Sequence, residues 1–227
     1  MKTESIRLVE HAVRSLTAAL NVTLPMGRIV VQRLPGCPDL VLGLINADLP
    51  TGALPPEVMH DVIRAPAYWS LCWGSGLGLS QLLYRNPQWV RGRRVLDFGA
   101  GSGVVGIAAM RNGAASVTAC DNDADARTAT LANAALNGVD IAICADLADA
   151  RRFDLVLMAD VLYDRSNLPL LDALQRIAPT IVVADSRIAE IPAAGFRLVA
   201  QVEALTIPNL NEFDEFRTVR VFAYGSV

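Results

Sequence analysis

The chain has 227 residues, 52% of them apolar and 19% charged, with a formal net charge of −3. This composition excludes a disordered chain and provides for a large core. Without any basic run it also argues against a nucleic-acid partner held by broad electrostatics. The length suits one large domain, or one domain with an appendage. Four cysteines, Cys37, Cys72, Cys120 and Cys144, form no C-x-x-C pair, and His11 and His60 add too little for a metal site. The expectation is no metal and reduced, buried thiols in a cytoplasmic protein. Met1-Lys2-Thr3-Glu4 leads into no unbroken apolar run, so no signal peptide is expected. No apolar stretch approaches the roughly 20 residues of a membrane-spanning helix.

In chain order, Ile6, Val9, Val13, Leu16 and Leu20 recur at helical spacing, which predicts a packing helix from Ser5 to Leu20. Arg28 to Leu34 and Leu40 to Ile45 flank Pro35-Gly36-Cys37-Pro38 and read as a β-hairpin. Leu49 to Pro56 reads as a linker, and Pro55-Pro56-Glu57 starts a short helix to about Arg64. Residues 1–64 therefore form a small α+β extension, placed as a lid or substrate-side element. Residues 65–227 form the main domain. At its start Tyr68, Trp69 and Trp73 cluster beside Gly74 and Gly76. Core packing and a pocket wall are both open for Tyr68 and Trp69, whereas Trp73, next to Gly74 and Gly76, reads as a wall. A helix follows from Leu77 to Tyr84 and stops before Asn86-Pro87. After Pro87 strands and helices alternate, the pattern of a parallel sheet covered by helices. Strands are expected at 94–98, 116–121, 141–144, 153–159, 180–184, 197–204 and 218–223. Helices are expected at 104–112, 124–137 and 166–178. The fold class is thus α/β, Rossmann-like, with a seven-stranded, mostly parallel sheet.

Val95 to Gly106, read Val-Leu-Asp-Phe-Gly-Ala-Gly-Ser-Gly-Val-Val-Gly, joins the first of these strands to its helix through a glycine turn. Gly101-Ser102-Gly103-Val-Val-Gly106 fits the dinucleotide pattern G-x-G-x-x-G, a weak signal alone. Asp97, two residues before Gly99, opposes a diphosphate by Coulomb's law and suits a donor that carries an ammonium and a sulfonium. Further acids stand at the following strand ends. Asp121, beside Asn122, lies at the distance from the loop expected for a carboxylate on ribose hydroxyls. Asp146 could meet an adenine amino group, and Asp160 ends the fourth strand in Asp160-Val-Leu-Tyr163-Asp164. Any one such acid is more often a turn or cap residue; four at successive strand ends beside a glycine loop argue for a site. Asp123 and Asp125 read as helix N-terminal charges.

Asp97-x-Gly99-x-Gly101-x-Gly103 resembles motif I of the class I S-adenosylmethionine-dependent methyltransferases. From Tyr68 to about Tyr163 the chain is similar to the seven-β-strand protein lysine methyltransferases, the electron transfer flavoprotein β-subunit type in particular. Tyr68-Trp69, Trp73, Gly76, Asn86-Pro87, Gly113-Ala114, Asp121, Asn133, Asn137 and Asp160-x-x-Tyr163-Asp164 carry this likeness. It departs where that type reads Trp-Pro-Gly-Gly against Trp73-Gly74-Ser75-Gly76 here, and Asp-Pro against Asp185-Ser186-Arg187. The resemblance implies S-adenosylmethionine as cofactor, held by Trp69, Trp73, Asp97, Gly99, Gly101, Ser102, Gly103, Asp121, Asn122, Asp146, Leu147 and Ala159. It implies Asp160 and Tyr163 as catalytic, substrate-orienting residues, although either could instead hold the cofactor. The methyl acceptor would be a protein lysine; a small-molecule amine, in a nicotinamide N-methylase-like reaction, and a non-catalytic cofactor-binding role are the alternatives. The acids of Asn211-Glu212-Phe213-Asp214-Glu215-Phe216 could dock a basic patch, or form a solvated loop.

Overall fold

The computed structural model describes residues 2–48, 54–147, 152–210 and 213–227, with side chains from Val9 onward. Ile6, the first half of the expected linker, and Asn211 and Glu212 of the acidic loop lie outside the described residues or side chains.

The main sheet has the order β5-β4-β3-β6-β7-β9-β8. Its strands are β3 (Arg94–Phe98), β4 (Ser116–Cys120), β5 (Ala142–Cys144), β6 (Leu155–Ala159), β7 (Ile181–Asp185), β8 (Phe196–Glu203) and β9 (Thr218–Tyr224). The first five run parallel, and β9 is antiparallel to both β7 and β8. β6 and β7 are apolar almost throughout because both faces are covered. Alternate residues feed two cores: Val95, Leu155, Leu157, Val182 and Ala184 face one layer. Leu96, Val156, Met158, Ile181 and Val183 face the other.

The first layer is covered by α3 (Gly74–Arg85) and α4 (Val104–Arg111), the second by α6 (Leu170–Ile177). Helix α3 begins three residues before the expected Leu77, so Gly74, Ser75 and Gly76 form its first turn rather than a loop. Its glycines serve close approach: a Cβ on Gly78 would stand 2.7 Å from Val202 Cγ2. The helix expected at 166–178 is split into a short 3-10 turn, Arg165–Asn167, and α6. Pro169 separates them, having no N–H to continue a helix.

The N-terminal extension contains α1 (Lys2–Leu20), the antiparallel pair β1 (Ile29–Arg33) and β2 (Val41–Ile45), and α2 (Pro56–Arg64). Leu16, Leu20, Ile29 and Ile45 pack with Trp69 and with Ala126 and Ala129 of α5 (Ala124–Leu136). Val9 falls outside this buried face, which Ala12 joins instead. Two asparagines fasten the hairpin. Asn137 Oδ1 accepts from Val41 N–H at 3.0 Å while its Nδ2 donates to Val41 C=O at 2.6 Å. Asn133 Oδ1 accepts from Gly43 N–H at 2.7 Å, and its Nδ2 donates to the Ser102 carbonyl at 2.9 Å. The extension is thereby tied to the back of the glycine loop.

Candidate functional site

The glycine turn lies between β3 and α4. Gly99 has φ +73°, and a Cβ there would stand 2.6 Å from Val161 Cγ2, so both backbone and space demand glycine. Gly101, at φ +52°, faces open space where a side chain would intrude. The turn's amides are largely spoken for. Gly99 and Ala100 donate to the Cys120 carbonyl, at 2.9 and 3.2 Å, and Gly103 donates to Ala100. Gly101 N–H donates to Asp121 Oδ2 at 2.9 Å. A phosphate cradle requires such amides to be free, so the turn is not built for a diphosphate.

Asp97 stands beneath the turn, not in the pocket wall. It is 2% exposed and accepts from Gly106 N–H, in the first turns of α4, at 2.8 Å. Burial pushes its carboxyl up to about 7, against the pull of that N–H. The expectation that its charge meets the ligand directly is replaced by a structural role in fixing α4 to β3. Asp121, Asp123 and Asp160 do line the pocket, and the one hydrogen-bonded to the glycine turn is Asp121, which also accepts from Asp123 N–H at 3.0 Å. Each of its oxygens keeps a lone pair for a vicinal diol. Asp123 caps α5, accepting from Asp125 N–H at 2.8 Å.

A pocket of about 500 Å³ opens over the carboxyl ends of β3, β4 and β6. Trp69, Trp73, Gly99, Gly101, Asp121, Asn122, Ala159, Asp160 and Tyr163 line it. Trp69, 2% exposed, serves the core as well as the wall. Trp73 donates Nε1–H to the Tyr68 carbonyl at 3.0 Å and meets the Tyr68 ring edge-on at 5.7 Å. Ser102 and Gly103 are in the loop but do not reach the pocket; Gly103 is the N-cap of α4. Asp146 and Leu147 follow β5 outside the lining, Asp146 exposed and Leu147 packed on the second core.

Opposite the turn, Asp160 takes up φ +51°, a strained conformation for a residue with a Cβ. Its Oδ1 accepts from Ser75 Oγ–H at 2.6 Å and its Oδ2 from Ser75 N–H at 3.1 Å. This clamps the carboxylate on the first turn of α3. Burial pushes it up to about 6, against the Ser75 hydroxyl bond; the neighbouring Asp185 adds to the rise and Arg187 opposes it. Tyr163 is half exposed, and burial raises its phenol above the ordinary range.

Four contributors were given no role from sequence. Ser75 and Arg187 lay in two segments that depart from a family pattern and were expected to border the pocket. Asp185, fully buried at the end of β7, accepts from Arg187 N–H at 2.7 Å. It is a fifth strand-end acid, one residue past the expected strand limit. Asn167 lines the pocket from the 3-10 turn and donates to the Val161 carbonyl at 2.9 Å.

The sequence profile of the ribosomal protein L11 methyltransferase family (PrmA) matches residues 82–183. The electron transfer flavoprotein β-subunit lysine methyltransferase of Rattus norvegicus is 39% identical over 101 residues, 43% of this chain and 40% of that protein. The ribosomal protein L11 methyltransferase of Halorhodospira halophila is 36% identical over 132 residues, 51% of this chain and 45% of that one. The chain thus spans less than half the length of these curated relatives. Among solved structures, the ribosomal protein L11 methylase of Lactobacillus delbrueckii subsp. bulgaricus superposes with TM-score 0.51 at 27% identity, covering 66% of this chain and 78% of that one. The N-methyltransferase NodS of Bradyrhizobium japonicum, solved with S-adenosyl-L-homocysteine, gives 0.50 at 16% identity over 64% and 84%, a likeness of fold. The chain has the class I methyltransferase fold, and in sequence it is similar to the methyltransferases of ribosomal protein L11 and of the electron transfer flavoprotein β subunit.

Proposed function

We propose that the chain transfers a methyl group from S-adenosylmethionine to a lysine side chain of a protein. The observation that carries this reading is the facing pair of pocket walls. The glycine turn and Asp121 stand on one side; Asp160, clamped by Ser75, and Tyr163 stand on the other.

The residues fit the cofactor. Asp121 would hold the ribose diol, Trp69, Trp73 and Ala159 would wall the site, and Gly99 and Gly101 leave the turn bare. When bound, S-adenosylmethionine supplies an electrophilic methyl on a sulfonium. The chain must then orient an unprotonated amine in line with it and exclude water. A lysine with a reference pKa of about 10 arrives as an ammonium. The Asp160 carboxylate attracts that ammonium into the pocket and accepts its hydrogen bond, and the Tyr163 hydroxyl offers a second acceptor. Water takes the proton at the pocket mouth. An aromatic wall from Trp73 or Tyr163 would favour positive charge, by about 0.5–2 kcal/mol.

The electron transfer flavoprotein β subunit is the first acceptor to try, because the relatives at 37–40% identity carry that name. The four cysteines are all unpaired thiols, which supports a reducing compartment such as the cytoplasm. The test incubates the chain and labelled S-adenosylmethionine with a lysate lacking it, followed by mass spectrometry. Label on lysine of a protein band is expected. Label confined to small molecules would replace the reading with small-amine methylation.

A further inference from the structure

The acceptor side of the pocket carries an exposed cation. Arg187 stands two residues beyond β7 and lines both the main pocket and a neighbouring apolar pocket of about 350 Å³. Its guanidinium carbon lies 4.6 Å from the Phe216 ring centroid and 5.8 Å from that of Tyr163. Among the described residues the guanidinium forms no ion pair. Aromatic stacking uses the faces of a guanidinium and leaves its N–H edge free, and that edge matches a carboxylate with two parallel hydrogen bonds.

The loop that supplies Phe216 was read either as acids offered to a basic patch or as a solvated loop; among its described residues Asp214 pairs with Arg217 at 3.1 Å, and Phe216 carries Arg187. Arg187 acts on Asp160 and Asp185, favouring their ionised forms, yet its positive charge at the acceptor mouth also repels an incoming lysine ammonium, which Asp160 must attract past it. A carboxylate on the substrate beside the target lysine removes that repulsion and engages the free edge.

The geometry points to Arg187 as a specificity-determining residue that selects lysines having an acidic residue beside them in the substrate. The inference rests on the lysine reading above and deepens it. Arg187 binds the flanking carboxylate, Phe216 and Tyr163 flank the guanidinium, and Asp160 receives the amine.

The test uses the full chain, tritiated S-adenosylmethionine and synthetic peptides built around one lysine, with Glu, Gln or Arg at each of the two positions on either side. At one position Glu should raise kcat/KM about tenfold over Gln, mainly through KM, and Arg should lower it. Arg187→Ala should bring the Glu and Gln peptides within about twofold of each other, and Arg187→Glu should reverse the preference towards Arg. Thermal unfolding midpoints matching the parent's would show that both variants fold. Should either not fold, Arg187→Lys, which keeps the charge but not the fork, should lose most of the Glu preference. Lysine label shared equally between Glu and Gln peptides overturns the inference and leaves lysine methylation standing. Label on no lysine peptide overturns the lysine reading and this one with it.

Discussion

The two walls of the pocket are built differently. The polar part of the donor wall comes from one continuous stretch: β3, the glycine turn, α4, and then β4 with Asp121 directly after it. Parallel ladders fix its parts directly, Phe98 pairing with Cys120 and Asp97 with Leu157. The acceptor wall gathers Trp73 and Ser75 from the start of α3, Asp160 and Tyr163 after β6, Arg187 after β7, and Phe216 before β9. These segments meet only because α3 packs across the sheet and β9 returns antiparallel beside β7. The difference teaches that the donor side follows from local backbone chemistry, whereas the acceptor side is free to vary with each contributing loop.

Substitutions can break or sharpen this contrast. The largest effect is expected at the donor turn. Gly99→Val forces a β-branched residue to φ +73° against Val161, and should cost about 3 kcal/mol or more of stability, read by thermal or urea unfolding. Next, Asp160→Asn should lower turnover about 100-fold while sparing the affinity for S-adenosylhomocysteine. Equal loss of both would move Asp160 to the donor wall. Asp121→Ala should do the reverse, weakening S-adenosylhomocysteine about 10-fold or more in calorimetry by removing the diol acceptor. Tyr163→Phe should lower turnover about tenfold, with donor affinity unchanged.

The smallest effect is a shift of pH dependence. Asp160 works as a carboxylate, and burial holds its pKa at about 6, so activity should fall as pH drops through that value. The Ser75 hydroxyl bond favours the ionised form. Ser75→Ala therefore raises the Asp160 pKa further and moves the acid limb of the kcat/KM profile to higher pH. An unmoved limb would dissociate Asp160 from that ionisation.

Much of the donor wall was legible in the sequence because its signals are local. Val95-Leu96 reads as a buried strand, the glycines mark the turn, and Asp121 falls at a fixed strand-end spacing. Asp97 was legible as part of the motif but not in its role. Only the packing of α4 against β3 shows that its carboxylate serves Gly106 and lies beneath the ligand's space. Helix α3 was misplaced at its start because Gly74 and Gly76 weigh against a helix locally. Their small size is repaid in contacts with Val104 and Ala204, which lie far away in sequence. Pro169, by contrast, is a local breaker whose effect on the helix at 166–178 could have been read directly.

By itself the sequence determined the alternating strand–helix order, the glycine turn and the acids at the strand ends. Period, propensity and turn chemistry act over a few residues and need no knowledge of neighbours. Only the tertiary structure decided which of those acids face the pocket, which side chain clamps Asp160, and that Arg187 stands over Phe216. Each of those facts is a contact between segments brought together by the sheet, set by packing geometry rather than by chain order.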